Sequence, residues 1–296
     1  MRNPRLVLLL VLIVLAGSGA MSAVAAGQAS DDPARRAVGA SEPAREQAAS
    51  VQDSAAAQPP PEPEHSGWGA LLKSTGKDFV AFPKRRSTWV ILGIGGAAAG
   101  ISHPFDDGIN EDLQDANGLR KALKPGKYLG YGFVQGGAAV GVYLIGRYAM
   151  KHEDGSRTNK ASHLGFDLLR AQLVTGGLTY GIKYAVRRQR PTGECCAFPS
   201  GHASVTFATA SVLERHFGYR GSWPMFAIAG YVSASRITDN RHFLGDVLFG
   251  SALGMATGWT VVGRHGRDSF TVFPVPMRGG VAVAGSWSPR GASAAS

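Results

Sequence analysis

From position 89 onward the chain alternates apolar, glycine-rich segments with short clusters of proline and charge, and this alternation limits it to a helical fold. The segments are 89–101, 129–150, 162–186, 202–217, 224–235 and 243–262. Their lengths exceed ordinary strands and they lack period-two alternation, so each is expected to be a helix. Glycines inside them, such as Gly136-Gly137 and Gly176-Gly177, weaken a helix and mark close helix–helix approach. The fold class is therefore all-α, a helical bundle of about six core helices. Segments 128–150 and 243–263 are apolar around most of their circumference and long enough to cross a bilayer. The other four carry shorter apolar runs or charge, as buried helices of a soluble bundle also do. The acidic stretch 106–112 lacks the ligand spacing of an EF-hand and is expected to be a solvated loop. Near the end, 270–273 and 281–284 flank Arg278-Gly279-Gly280, the pattern of a C-terminal β-hairpin.

Two N-terminal stretches stand outside this pattern. In 1–25, Arg2 and Arg5 precede an apolar run at 6–16, and Ala23-Val24-Ala25 supplies small residues for cleavage. That is the form of a secretory signal peptide, with an uncleaved N-terminal anchor as the alternative, and either targets the chain for export. Positions 26–66 are rich in Ala, Pro, Gln and Ser and end in Pro59-Pro60-Pro61-Glu62-Pro63. With almost no large apolar residue, this stretch is expected to be a disordered tether. The expected organisation is completed by a helical domain at 67–265 and a tail at 266–296.

The formal net charge is +10. The cations fall in short groups, Lys84-Arg85-Arg86 and Arg187-Arg188-Gln189-Arg190, not in a long run interleaved with aromatics. That argues against nucleic acid and for anionic headgroups or phosphorylated substrates. Cys195 and Cys196 are the only cysteines and are adjacent. They provide no disulfide framework, and no further metal ligands accompany them.

Three clusters carry chemistry. Lys183 is followed by Arg190-Pro191, then by Pro199-Ser200-Gly201-His202, then by Ser235-Arg236, His242 and Asp246. Lys183, Arg190 and Arg236 are suited to surround a tetrahedral dianion, arginine with a planar fork and lysine with a compact charge. Ser200 is a good N-cap, and the free N–H groups after it can face an anion. His242 and Asp246 are four apart, so on a helix the carboxylate can fix the imidazole tautomer and leave the other nitrogen nucleophilic. His202 can then protonate a departing oxygen. Taken singly, each cation is most often surface charge and each motif a turn or a satisfied pair. A zinc site of His202, His242 and Asp246 is chemically open, but three neighbouring cations would repel the metal. A shared anion site accounts for all of them, with no metal and no cofactor.

The spacing Lys183-x6-Arg190-Pro191, Pro199-Ser200-Gly201-His202 and Ser235-Arg236-x5-His242-x3-Asp246 resembles the three-part signature of the type 2 phosphatidic acid phosphatase and vanadium haloperoxidase superfamily. The resemblance covers roughly 89–263 and implies an all-α bundle with the motifs at one end. It further implies that His242 is a nucleophile forming a phosphohistidine, oriented by Asp246, with His202 as general acid. Lys183, Arg190, Ser200, Gly201 and Arg236 would hold the phosphoryl oxygens. The connection 192–198 between the first two motifs is short, which leaves little room for a lid and sets the cysteine pair near the mouth.

The expected function is hydrolysis of a phosphate monoester or diphosphate, with a phosphorylated lipid favoured over a small phosphate ester and the chain associated with a membrane. Alternatives are a soluble periplasmic acid phosphatase of broad specificity, a vanadate-dependent haloperoxidase and a non-catalytic anion-binding protein. The expected location is the cell envelope with the site facing outward. If position 27 starts outside and all six helices span, the loops after the third and fifth lie in the cytoplasm. An outward site then requires a segment that does not span, or a soluble or peripheral bundle.

Overall fold

The computed structural model describes residues 67–151, 158–263, 268–277 and 280–289, the last two by backbone alone. The expected signal peptide and tether lie outside the described residues. The helices are α1 Trp68–Ala81, α2 Arg86–Ser102, α3 Asp106–Asp115, α4 Asn117–Leu123, α5 Gly126–Leu129, α6 Gly132–Leu144, α7 Lys160–Val186, α8 Gly201–Thr238 and α9 Leu244–Val261. A π-helical turn, Ile145–Ala149, continues α6. The 38-residue α8 is two arms joined at Gly218, whose φ of 70° and ψ of 173° break the helix. A glycine tolerates this left-handed value without a Cβ clash.

The core lies along α9, which packs on α8, α7 and α2. Phe82, Ile91, Ala252, Leu253 and Ala256 form one buried cluster, and Leu113, Ala203, Ile237, Leu244 and Val247 form another. The seam between α8 and α9 is lined by small residues. A Cβ on Gly254 would collide with the Ser204 carbonyl, and one on Gly250 would lie 2.7 Å from the Ser200 carbonyl. Buried hydroxyls on these helices bond to carbonyls a turn earlier, as Ser204 does to Ser200 and Thr257 to Leu253. Thr175 and Thr257 join α7 to α9 at 2.6 Å. An Asn159–Ser162 capping box starts α7.

Three expectations are corrected. The acidic stretch 106–112 is helical, because Asp106, Asn110 and Leu113 form a buried face of α3. Asn110 donates to Asn240 at 3.2 Å, so this face is polar as well as apolar. Segment 129–150 does not form one helix; the chain breaks at Gly130–Tyr131 and changes to a π turn after Leu144. Among the described residues no single helix is long and apolar enough to cross a membrane. In α9 the reason is visible: Asp246 and interspersed Gly, Ser and Thr dilute its apolar residues. One bent pair, Asn117–Leu129 with Gly132–Ala149 at 50°, reaches the required length and composition. The chain after Val261 is a separate unit. In it Asp268–Met277 pairs antiparallel with Gly280–Pro289, with Phe273 opposite Ala284.

Candidate active site

The C-terminal end of α7, both ends of α8 and the N-terminal end of α9 meet at one end of the bundle. α7 ends with Arg187 in the left-handed region, and the chain turns back through an isolated bridge between Gln189 and Cys195. Cys195 and Cys196 are joined by a disulfide. Ser200 takes the N-cap position of α8 with extended φ/ψ, but its side chain makes no cap hydrogen bond. Its hydroxyl is buried without a partner, and its amide donates to the Asp246 carbonyl at 2.9 Å. Gly201 brings the start of α8 against α7; a Cβ there would meet Thr179 and lie 4.0 Å from Lys183 Cε.

The cations converge on this point. Lys183 Nζ donates to the carbonyls of Cys196 at 2.7 Å and Ala197 at 3.2 Å. Burial, and then the neighbouring Arg190, push its ammonium down to about 8. Arg190 pairs with Glu194 and Arg236 with Asp239, each at 2.9 Å through Nη1. Both Nε atoms are buried and without a hydrogen-bond partner. These cations are thus held in place by flanking carboxylates that leave part of each guanidinium unused.

The histidines lie among them. His242 is buried, and its Nδ1 faces Asp246 Oδ2 at 3.6 Å, beyond hydrogen-bond length. Asp246 has 0% exposure, and its Oδ2 accepts the Phe243 amide at 2.9 Å. Burial pushes His242 down to about 4; Lys183 and Arg236 act the same way, and Asp246 opposes them. Burial likewise pushes His202 down to about 3, with Arg236, His242 and Lys183 adding to the effect and a hydrogen bond to the Lys127 backbone opposing it. His202 Nε2 is buried and without a partner. Two neutral imidazoles and three cations therefore share one electrostatic environment, in which the cations favour a bound anion. Among the described residues no group of three or more His, Cys, Asp or Glu side chains is placed to hold a metal.

Two features carry no motif. Arg188, between the end of α7 and Arg190, bonds through Nη1 to Asp246 Oδ1 at 2.9 Å and through Nη2 to Asp106 Oδ2 at 2.6 Å. Only its place in a run of cations marks it in the sequence. The second is the wall formed by α4 and α5. Gly130 abuts the His202 ring and Val232, Tyr231 donates to the Ala122 carbonyl, and the Tyr131 ring lies 5.1 Å from that of His202. Tyr131 stacks on Phe133, and Tyr128, Leu129 and Phe133 expose apolar surface beside the histidine.

Residues 164–268 match the family model described as the PAP2 superfamily. The match is confined to the stretch that carries the site, less than half of the chain. The matched region contains all three motifs, α8, α9 and α7 from residue 164 onward. Over 91 residues, 29% of the chain, it is 39% identical to a lipid A 1-phosphatase of Porphyromonas gingivalis, covering 20% of that protein. Over 114 residues, 34% of the chain, it is 26% identical to a lipid A 4'-phosphatase of Helicobacter pylori, covering 58% of that protein. The chain therefore spans less than two thirds of either curated relative. A crystal structure of a transmembrane PAP2 type phosphatidylglycerolphosphate phosphatase from Bacillus subtilis aligns with 66% of this chain and 94% of its own, at 22% identity and a TM-score of 0.35.

Proposed function

We propose that this chain is a PAP2-type enzyme, a metal-independent phosphatase that hydrolyses a phosphate monoester or diphosphate of a lipid through a phosphohistidine. The observation that carries this reading is the pairing of His242 Nδ1 with Asp246 inside a cluster of three cations. His242 Nε2 attacks phosphorus as the bond from phosphorus to the leaving oxygen breaks. His202 gives that oxygen a proton, and Asp246 stabilises the positive charge that develops on the His242 ring. Lys183, Arg190, Arg236, the Ser200 hydroxyl and the Gly201 amide stabilise the equatorial oxygens. Water then attacks phosphorus and passes a proton to His202 as the bond from phosphorus to His242 Nε2 breaks, which releases phosphate and restores the neutral His242 ring. His202 is neutral in the free protein, so its acid form depends on substrate. A dianion opposes the repulsion from Arg236 and Lys183 and raises the proton affinity of His202 when it binds.

A lipid leaving group is supported by the apolar wall beside His202, where Phe133 is 74% exposed and Tyr128 and Leu129 adjoin it. Further apolar side chains stand exposed along the bundle, among them Trp68, Trp89, Ile101 and Tyr184, which supports contact with a membrane. The curated relatives are named for lipid A phosphatases, which agrees with the same substrate class.

The export pattern at 1–25 supports an exported protein with its site facing outward. The core makes six passes between Arg86 and Val261, and the site lies at the end away from both residues. With Gly27 outside, an outward site therefore requires the bundle to sit against the outer face and not through the membrane. After reduction in intact cells, Cys195 and Cys196 should react with an impermeant thiol reagent. Labelling only after the cytoplasm is opened would sink the outward placement.

The function itself is tested by rapid quench with a radiolabelled lipid phosphate at alkaline pH. The wild type should trap label on protein, survive a chelator and be inhibited by vanadate, and His242→Ala should trap none while keeping its helical circular dichroism. Equal turnover by His242→Ala, or dependence on an added divalent metal, would overturn the assignment.

A further inference from the structure

Arg188 stands in the middle of the cationic run, yet none of its hydrogen bonds faces the phosphate cluster. Nη1 is 2.9 Å from Asp246 Oδ1, and Nη2 is 2.6 Å from Asp106 Oδ2 and 3.1 Å from His103 Nδ1. The guanidinium carbon lies 4.4 Å from the centre of the Phe243 ring. Its backbone carbonyl accepts the amides of Cys196 and Ala197 at 2.9 and 2.8 Å. The side chain is therefore held by α9, by α3 with the turn before it and by the residue after His242, and the backbone by the loop that carries Cys196.

This arrangement determines which oxygen of Asp246 meets the nucleophile. Oδ1 is committed to Arg188, and Oδ2 accepts the Phe243 amide and faces His242 Nδ1. A carboxylate held at both oxygens cannot rotate away from the imidazole. Arg188 also places positive charge on the far side of the same carboxylate. We propose that Arg188 is a positioning residue for phosphoryl transfer: anchored on α3 by Asp106, it orients Asp246 toward His242 and offsets part of the carboxylate charge, so that the imidazole stays unprotonated until it attacks. The role of α3 follows, since Asp106 is what ties Arg188 to that helix.

The groups facing His242 are Asp246 from α9, Lys183 from α7, and Arg236 and His202 from α8, with Arg188, Asp106 and His103 behind Asp246. Removing the Arg188 charge leaves the Asp246 carboxylate less compensated. A protonated His242 is then better stabilised, and its proton is lost at higher pH.

The inference rests on the proposed phosphatase reading, and the test separates the two. Arg188→Gln, Arg188→Lys, Asp106→Asn and the double variant Arg188→Gln/Asp106→Asn would be assayed on a soluble phosphate monoester across pH. Arg188→Gln should lower kcat by about thirtyfold, as for a residue that acts by orienting another, and change KM by less than about threefold. Its acid limb of kcat/KM should move to higher pH, and Arg188→Lys should recover part of the rate. The double variant should be no slower than Arg188→Gln alone, because Asp106 acts through Arg188. A rise in KM at constant kcat would make Arg188 a phosphate ligand and overturn the inference. So would a rate loss that follows melting temperature with an unmoved acid limb. Should Arg188→Gln fail to fold, Arg188→Lys and Asp106→Asn carry the same comparison. If the wild type hydrolyses no phosphate ester, the phosphatase reading fails alone. The charge offset is then read from the His242 ring by NMR titration, which should move upward in Arg188→Gln and would refute the inference by staying in place.

Discussion

Asp246 Oδ2 stands 3.6 Å from His242 Nδ1, with the Phe243 amide on the same oxygen at 2.9 Å. The separation is too long for a hydrogen bond and short enough to become one when charge develops on the ring. Asp246→Asn keeps the shape and removes the charge. It should lower kcat by at least about a hundredfold with KM little changed, as when the carboxylate that orients a catalytic histidine is neutralised. Pre-steady-state trapping should show slower phosphoenzyme formation, and a normal burst would contradict the orienting role.

The low proton affinities of His202 and His242, about 3 and about 4, are set first by burial and then by neighbouring cations. Both rings are neutral near about pH 6, and a bound dianion must raise both values. Sulfate keeps no proton to lose at that pH, so its binding should take up protons and tighten as pH falls. Calorimetry in two buffers of different ionisation enthalpy measures the uptake directly. Proton release on binding would show that the imidazoles do not face the anion.

Gly254 on α9 and Gly137 on α6 are in opposite circumstances. A Cβ on Gly254 collides with the Ser204 carbonyl, whereas one on Gly137 meets nothing within 4 Å. Gly254→Ala should destabilise the fold by about 2 kcal/mol and reduce activity by shifting α9 from His202. Gly137→Ala should stabilise it by up to about 1 kcal/mol. Chemical denaturation compares them, and equal effects would refute the seam.

Far from the site, Asp78 accepts from Arg170 Nε at 2.9 Å and Nη2 at 2.8 Å, and Arg170 also holds Asp167 and the Val261 carbonyl. Asp78→Ala leaves a buried guanidinium half satisfied and should cost about 3 kcal/mol. The remaining folded protein should turn over normally, because this network joins α1, α7 and α9 away from the histidines. A large rate loss without a stability loss would be the contrary result.

The motif residues were legible because their chemistry is local in sequence. A carboxylate four positions after a histidine, and a serine and glycine before a helix, declare themselves without tertiary information. Helices α7 and α9 and the two arms of α8 were legible from composition. Helix α3 was not, because its buried face is built from Asp106 and Asn110, and apolar periodicity is blind to a polar face that finds its partners elsewhere in the chain. Arg188 was hidden for the same reason. Its meaning lies in Asp106 and Asp246, 82 and 58 positions away, and a run of basic residues does not say which of them turns inward. Helix α1 was hidden likewise, because two of its three buried residues, Thr75 and Asp78, are polar.

The break at Gly218 gives α8 the geometry of a pair of tongs. His202 stands near one tip and Arg236 near the other, each about 25 Å from the pivot at the rise of an α-helix. Opening the angle at the pivot by about 2° would separate proton donor and cation by about 1 Å, a displacement that can reduce a rate about a hundredfold. A sequence change at the distant turn of α8 therefore acts at the tips with leverage, and activity can be tuned from a place that no substrate touches.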